Sequence, residues 1–294
     1  MTAHAQTARA PGKVNLGLWV GQVDPSGYHP LLTAFQAVEL WETVTVEPSS
    51  SPTLTCSGSV DCSGVPLDAS NLAWRAALAL GEKVGRTVDV ALHIEKNVPV
   101  AGGMAGGSAD AAATLLALRS YWQLDIDNRE LHDIAATLGS DVAFSLQGGA
   151  AIGRGRGEQL ETVVTQQPLH WVVVPADFSL STADVYRHYD HIAPQADIPD
   201  DLPEGFLEAW ATGDAQEIAG LMHNDLEAAA CSMRPELTAT VGAVVGAGAL
   251  RAMVSGSGPT VMGLAESADH ARDVVGALRA QGYPALTTQS AGAN

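Results

Sequence analysis

Between Lys96-Asn97-Val98-Pro99-Val100 and an Ala- and Leu-rich stretch lies the run Gly102-Gly103-Met104-Ala105-Gly106-Gly107-Ser108. Glycines ahead of a helix let backbone N–H groups converge on an anion. No Cβ blocks the approach, and the helix N-terminus adds about half a positive charge. Four glycines and a serine at the helix start suit a phosphate cradle; the same residues could also form a tight turn closing the helix onto a sheet. Spacing removes other readings. A Walker A loop needs Gly-Lys-Ser/Thr, but Gly107 is followed directly by Ser108, and neither Gly102 nor Gly103 starts a G-x-G-x-x-G set. No G-x-S-x-G elbow occurs.

A phosphate-binding loop without its own lysine needs a cation from elsewhere, and the chain contains only Lys13, Lys83 and Lys96. Lys83 falls at a polar helix end, where a cation is routine. Lys13 sits between the turn residues Pro11-Gly12 and an apolar strand, as an exposed strand-end lysine or as a functional one. Asp141, after Gly139-Ser140, could cap a helix or accept a proton from a substrate hydroxyl in phosphoryl transfer; spacing does not choose between them. Ser255-Gly256-Ser257-Gly258-Pro259-Thr260 is a second small-residue loop, read as a hairpin turn or as a place where a phosphate comes close. His188 and His191 could meet on a helix, but no third ligand accompanies them, and no metal site is expected from them.

The elements that must position these residues follow from periodicity. Strands are predicted at 13–20 and 32–48 around the turn Asp24-Pro25-Ser26-Gly27, and at 88–94. Residues 49–70, rich in Ser, Pro, Gly and Asp, read as a loop leading into a helix at Asn71. Further helices are predicted at 109–120, 128–138, 182–190, 202–212, 214–231, 234–246 and 268–281. A strand and turn at 148–157 and strands at 171–175, 252–254, 260–264 and 284–288 complete two β-α-β halves of mixed topology, with a domain boundary near the polar break Gln166-Gln167-Pro168.

The 294 residues allow two domains. With 46% hydrophobic and 16% charged residues and a mean hydropathy of +0.09, the chain is of globular type. Its net charge of −18 argues against nucleic-acid or anionic-membrane partners, so a phosphorylated ligand must be held by a local device. Cys56, Cys62 and Cys231 form no disulfide framework, and no apolar run suggests a leader or membrane span. A cytoplasmic protein is expected.

Three segments together resemble the GHMP kinase superfamily of small-molecule kinases: Pro11-Gly12-Lys13-Val14-Asn15-Leu16, Pro99 to Ala112, and Val254 to Thr260. Asp24 to His29 (DPSGYH) and Leu138-Gly139-Ser140-Asp141-Val142 resemble the branch acting on a cytidine diphosphate of methylerythritol. The resemblance implies an α+β, two-domain GHMP kinase fold: an N-terminal ribosomal-protein-S5-like domain at 1–165 carrying the ATP loop, and a C-terminal ferredoxin-like domain at 166–294. It implies ATP with Mg²⁺ as phosphoryl donor and cytidine diphosphate methylerythritol as acceptor, with the protein a monomer or weak homodimer. By the same resemblance, Lys13 and Asp141 are catalytic. Gly102, Gly103, Met104, Ala105, Gly106, Gly107 and Ser108 hold ATP phosphates, and Asn71, Leu72 and Lys96 lie around the adenine. Asn15, Tyr28, His29, Asp141, Thr182 and Tyr186 bind the acceptor, with Tyr186 stacking on cytosine. Asp110 stands where the family commonly has Asn, Ala143 where it often has Pro, and Tyr186 where it often has Phe.

Overall fold

A computed structural model describes residues 4–25, 27–193 and 198–293. Ser26 of the expected first turn lies outside the described residues. The N-terminal sheet is organised by two long antiparallel strands, β1 (Gln6–Val20) and β2 (Leu31–Pro48). β1 starts well before residue 13, because Pro11-Gly12 does not form a turn. A register shift between those two residues absorbs the proline, which cannot donate to the ladder, and the strand runs through.

The segment 49–70 also holds more structure than its composition suggests. β3 (Thr53–Gly58) pairs in parallel with β4 (Val90–Lys96) at the sheet edge. An edge strand needs partners on one side only and here buries little, so it lacks the apolar alternation that marks a core strand. Against this sheet pack α1 (Leu72–Val84), α2 (Gly106–Tyr121), α3 (Asn128–Leu138) and α4 (Ser140–Gln147), through a core that includes Leu80, Leu92, Leu115 and Leu118. Helix ends are specified locally: Asn71 caps α1, Gly85 closes it in the left-handed region, and Asp127 with Glu130 forms a capping box on α3. The hairpin β5 (Ala150–Arg154) and β6 (Gln159–Val163) is attached to β2.

The second sheet contains β7 (His170–Val174), β9 (Arg251–Val254), β10 (Val261–Ala265) and β11 (Leu286–Gln289), all antiparallel, in the order β11-β7-β10-β9. α10 (Ala268–Ala280) crosses between β10 and β11, and α5 (Thr182–Ile192), α6 (Phe206–Thr212) and α9 (Glu236–Gly246) lie between β7 and β9. That strand order is the ferredoxin-like one. The helix expected over 214–231 is broken into α7 (Ala215–Leu221) and α8 (Glu227–Met233) by β8 (His223–Asn224), which pairs in parallel with β1. The polar side chains there turn to backbone groups instead of continuing the helix: Asn224 Oδ1 accepts from Leu226 N and Asp225 Oδ2 from Val20 N. Residues 290–293 also return to the first sheet, with bridges from Ser290 to Val38 and from Ala293 to Gly148.

A shared core joins the sheets, formed by Val14 and Leu16 of β1, Trp171 and Val173 of β7, and Phe206 and Trp210 of α6. The two tryptophans are fully buried but differently satisfied. Trp210 Nε1 donates to Gln36 Oε1 at 2.9 Å, whereas Trp171 Nε1 has no partner among the described residues. Trp210→Phe strands a buried acceptor and Trp171→Phe removes an orphan donor. Urea unfolding should therefore show Trp210→Phe to be the more destabilising by about 1–3 kcal/mol, and equal losses would contradict the pairing.

Candidate active site

The glycine run is the start of α2 itself, which begins at Gly106 and not at 109. Ala105 is the N-cap in the left-handed region and offers no side-chain cap; the first inward N–H is that of Ala109, donated to Ala105 O at 2.9 Å. The N–H groups of Gly106, Gly107 and Ser108 have no protein acceptor among the described residues, which is the donor set an anion takes at a helix start.

The run is pressed against the second small-residue loop. A Cβ on Gly103 would lie 2.1 Å from Ser255 O, and one on Gly102 would lie 2.5 Å from Thr260 Oγ1. Ser255 Oγ donates to Gly103 O at 3.3 Å, and Thr260 N to Gly102 O at 3.3 Å. Residues 255–260 thus turn between β9 and β10 and wall the same site.

Lys13 rises from β1 beneath this wall. Its backbone N donates to Met104 O at 3.0 Å, and its Nζ donates to Asn15 Oδ1 at 2.8 Å and lies 3.8 Å from Asp141 Oδ2. With a relative exposure of 5% it is not an exposed strand-end lysine. Lys13 and Asn15 share a strand face, and Asn15 is anchored by Nδ2 to Thr33 Oγ1 at 2.7 Å. Asp141 is in the first turn of α4, but Gly139 takes the cap position, which leaves the carboxylate turned to Lys13. These groups share a cleft of about 330 Å³ with Gly102, Gly103, Ala105, Gly106, Gly107, Ser108 and Leu72.

A second cleft of about 880 Å³ adjoins the first, sharing Leu31, Arg156, Thr182 and Tyr186. The His29 ring lies 5.1 Å from that of Tyr186; its Nδ1 is 2.7 Å from Gly21 O and its Nε2 3.4 Å from Asp190 Oδ1. Burial, with the Asp141 charge adding to it, pushes the Tyr186 phenol well above its ordinary range, so the ring stays neutral. Tyr28 is exposed at the rim with the Arg156 guanidinium 4.7 Å over its ring. Thr182 Oγ1 is 2.9 Å from Ser257 Oγ, which links the second loop to α5.

Three residues expected around the nucleotide, Met104, Asn71 and Lys96, do not line the first cleft. Met104 is buried in the shared core and presents only its carbonyl, to Lys13. Asn71 is the buried cap of α1, bonded to Ala73 N and Pro66 O. Lys96 is 2% exposed and pairs at 2.8 Å with both Glu42 and Asp110, a carboxylate that competes for its ammonium. Burial pushes the Glu42 carboxyl up to about 7 against the pull of Lys96, and the Asp110 charge adds to the rise. Burial also raises Asp110, whose Oδ1 has no partner among the described residues. For Lys96 burial opposes the charge, but the two carboxylates outweigh it and hold the ammonium protonated. This triad abuts the start of α2, with Lys96 Nζ 3.2 Å from where a Gly106 Cβ would be. Ala143 is fully buried within α4. His188 bonds to Ser232, and no cluster of three metal-ligating side chains exists among the described residues.

Sequence reasoning assigned no role to Phe35, whose ring is 5.6 Å from Lys13 Nζ, nor to Arg156, which lines both clefts.

Residues 71–149 match the family model described as the GHMP kinases N terminal domain, and residues 206–284 that of the GHMP kinases C terminal. The chain is 50% identical over 272 residues, 91% of its length and 84% of the relative's, to a 4-diphosphocytidyl-2-C-methyl-D-erythritol kinase of Mycolicibacterium gilvum. It is 49% identical to the Streptomyces coelicolor protein of that name, covering 94% of this chain and 93% of that one. A crystal structure of a 4-(cytidine 5'-diphospho)-2C-methyl-D-erythritol kinase superposes with a TM-score of 0.77 at 37% identity, over 97% of this chain and all of the other. A homoserine kinase from Cytophaga hutchinsonii shares the fold, with a TM-score of 0.74 at 18% identity over 98% and 95% of the two chains. The chain belongs to the GHMP kinase family and, within it, to the group that carries the name 4-diphosphocytidyl-2-C-methyl-D-erythritol kinase. It has that family's two-domain α+β fold, and ATP is the family's phosphoryl donor.

The Glu42–Lys96–Asp110 triad makes stability depend on pH. A Glu42 carboxyl that titrates near 7 in the folded chain and at 4.5 in the unfolded one contributes stability below 4.5 that is lost as pH rises to 7. Asp110→Asn removes a charge that raises Glu42 together with a second raised carboxyl. The loss of unfolding free energy across that window should therefore be smaller in the variant, measured by urea titration at the two ends. A loss as large as in the parent chain would refute the coupling.

Proposed function

We infer that this chain transfers the γ-phosphoryl group of ATP, with Mg²⁺, to the tertiary 2-hydroxyl of 4-diphosphocytidyl-2-C-methyl-D-erythritol. The observation that carries the reading is the Lys13–Asp141 pair, 3.8 Å apart, in one cleft with the free N–H groups that open α2. The wider cleft beside it supports the acceptor's identity: Tyr186 and Tyr28 offer ring faces, His29 a hydrogen-bonding edge, and Arg156 a cation between the nucleoside end and the transfer site. Homoserine or mevalonate would leave that aromatic cleft without a use.

The N–H groups of Gly106, Gly107 and Ser108 bind phosphate oxygens and fix the donor. Asn15 and Asp141 hold the acceptor hydroxyl; the Asp141 carboxylate accepts its proton as the oxygen attacks the γ-phosphorus, and ADP leaves in line. Lys13, held by Asn15, keeps its ammonium beside that carboxylate and the developing charge. The first cleft supplies the Ser108 hydroxyl and the Asp141 carboxylate as hard oxygen donors. That set fits a Mg²⁺ bound mainly by the nucleotide's own phosphates. When bound, Mg²⁺ neutralises charge on the β- and γ-phosphate oxygens. A small-molecule reaction of this kind, in a chain with three free thiols, suits the cytoplasm. No helix among the described residues is long and apolar enough to cross a membrane.

A coupled ADP-release assay with ATP, Mg²⁺ and the cytidine compound tests the reading. Asp141→Asn is expected to lower kcat by about 10²- to 10⁴-fold while nucleotide binding persists; near-parental turnover would remove Asp141 from the chemistry. A panel including homoserine and mevalonate should give no turnover. In a protein of net charge −18 the KM for ATP should also rise steeply when Mg²⁺ is chelated, and equal affinity without the ion would contradict this account.

A further inference from the structure

Asn224 lines neither cleft. Its amide nevertheless has both N–H bonds engaged by the second small-residue loop: Nδ2 donates to Val254 O at 2.9 Å and to Gly256 O at 2.8 Å. On the other side Oδ1 accepts from Leu226 N at 3.0 Å, and the Asn224 backbone pairs with Leu18 of β1. Glu227 Oε2 accepts from Val254 N at 2.7 Å, so the entry to the loop is gripped from both of its backbone faces.

The far side of the loop faces the reacting groups across the first cleft. Gly256 is left-handed, with φ +55°, and a Cβ there would lie 3.4 Å from Lys13 Nζ, 3.5 Å from Asn15 Oδ1 and 3.4 Å from Gly103 O. The Gly256 backbone is thus a thin wall between the Asn224 amide and the Lys13 ammonium, and it has no side chain with which to hold itself there.

We propose that Asn224 is a positioning residue for phosphoryl transfer: through the Gly256 backbone it holds Lys13 in register with Asp141. The kinetic consequence rests on the kinase reading above, and the structural one on the hydrogen bonds alone. Without the two donors, the loop carbonyls lose their partners and the wall relaxes away from Lys13.

Asn224→Ala and Asn224→Asp test it in the full chain. Both are expected to lower kcat on the order of 10- to 100-fold, with the KM for ATP moving less than about threefold, since a displaced charge costs rate more than nucleotide binding. Asp preserves size and the acceptor for Leu226 N but removes both donors, so near-parental turnover in the Asp variant would mean that Asn224 merely fixes the turn ahead of α8 and would overturn the proposal. The Asp carboxyl facing two carbonyls can donate only when protonated. Its deficit should therefore shrink as pH falls from about 8 to about 5, while that of the Ala variant stays level. A crystal structure of the Ala variant, or of the Asp variant if Ala does not fold, decides without any acceptor. Residues 255–258 displaced and Lys13 drawn away from Asp141 support the inference, and an unmoved loop overturns it. If the parent chain does not phosphorylate the cytidine compound, the functional reading falls, and the position of the loop in the variant still decides whether Asn224 holds Lys13 in place.

Discussion

The close approach of two loops that leave no space for a Cβ is the constraint on which the site depends. Gly102-Gly103 and Ser255–Thr260 come from different sheets, and their backbones touch where even an alanine would collide. That contact does what a side-chain lock would do elsewhere. It sets the start of α2 against the end of β9, and Lys13 is tied to it through Met104 O and faces Gly256. Only bare backbone can bring donor N–H groups and the ammonium this near to one another and still leave a cleft for a phosphate.

Electrostatics explains why the device is so local. A chain with 33 acidic and 15 basic residues repels anions at a distance, and it compensates with short-range sources: free helix N–H groups, one buried lysine and an arginine shared by both clefts. The other buried lysine, Lys96, is consumed structurally. Glu42 and Asp110 enclose it beneath the first turn of α2, where the triad abuts the helix start.

How much of this the sequence disclosed depends on whether a residue's task is local. Glycine runs and caps declare themselves, because only certain residues adopt those conformations, and the strands of the C-terminal half followed from periodicity, whereas its ferredoxin-like arrangement came from resemblance. Pro11-Gly12 misled because a bulge and a turn use the same residues, and β3 was hidden because an edge strand need not alternate. The group around Lys13 is assembled from β1, α4 and the loop after β9, elements with no sequence proximity, and it was reachable only through resemblance to a family. Lys96 lay beside the glycine run in sequence, but its side chain points to Glu42 on β2, a partner that spacing does not reveal. Asn224 was absorbed into a helical pattern, since nothing in its neighbours announces that a two-residue strand interrupts the helix.

The return of residues 290–293 to the first sheet has a consequence for biogenesis. Ala291 N bonds to Ala37 O and Gly149 N to Gly292 O, so the margin beside β2 and β5 is sealed by chain that is synthesised long after those strands. A nascent polypeptide can assemble its amino-terminal layer early, but must carry that seam open until residues 290–293 have been made, and vectorial synthesis cannot finish the two halves one after the other.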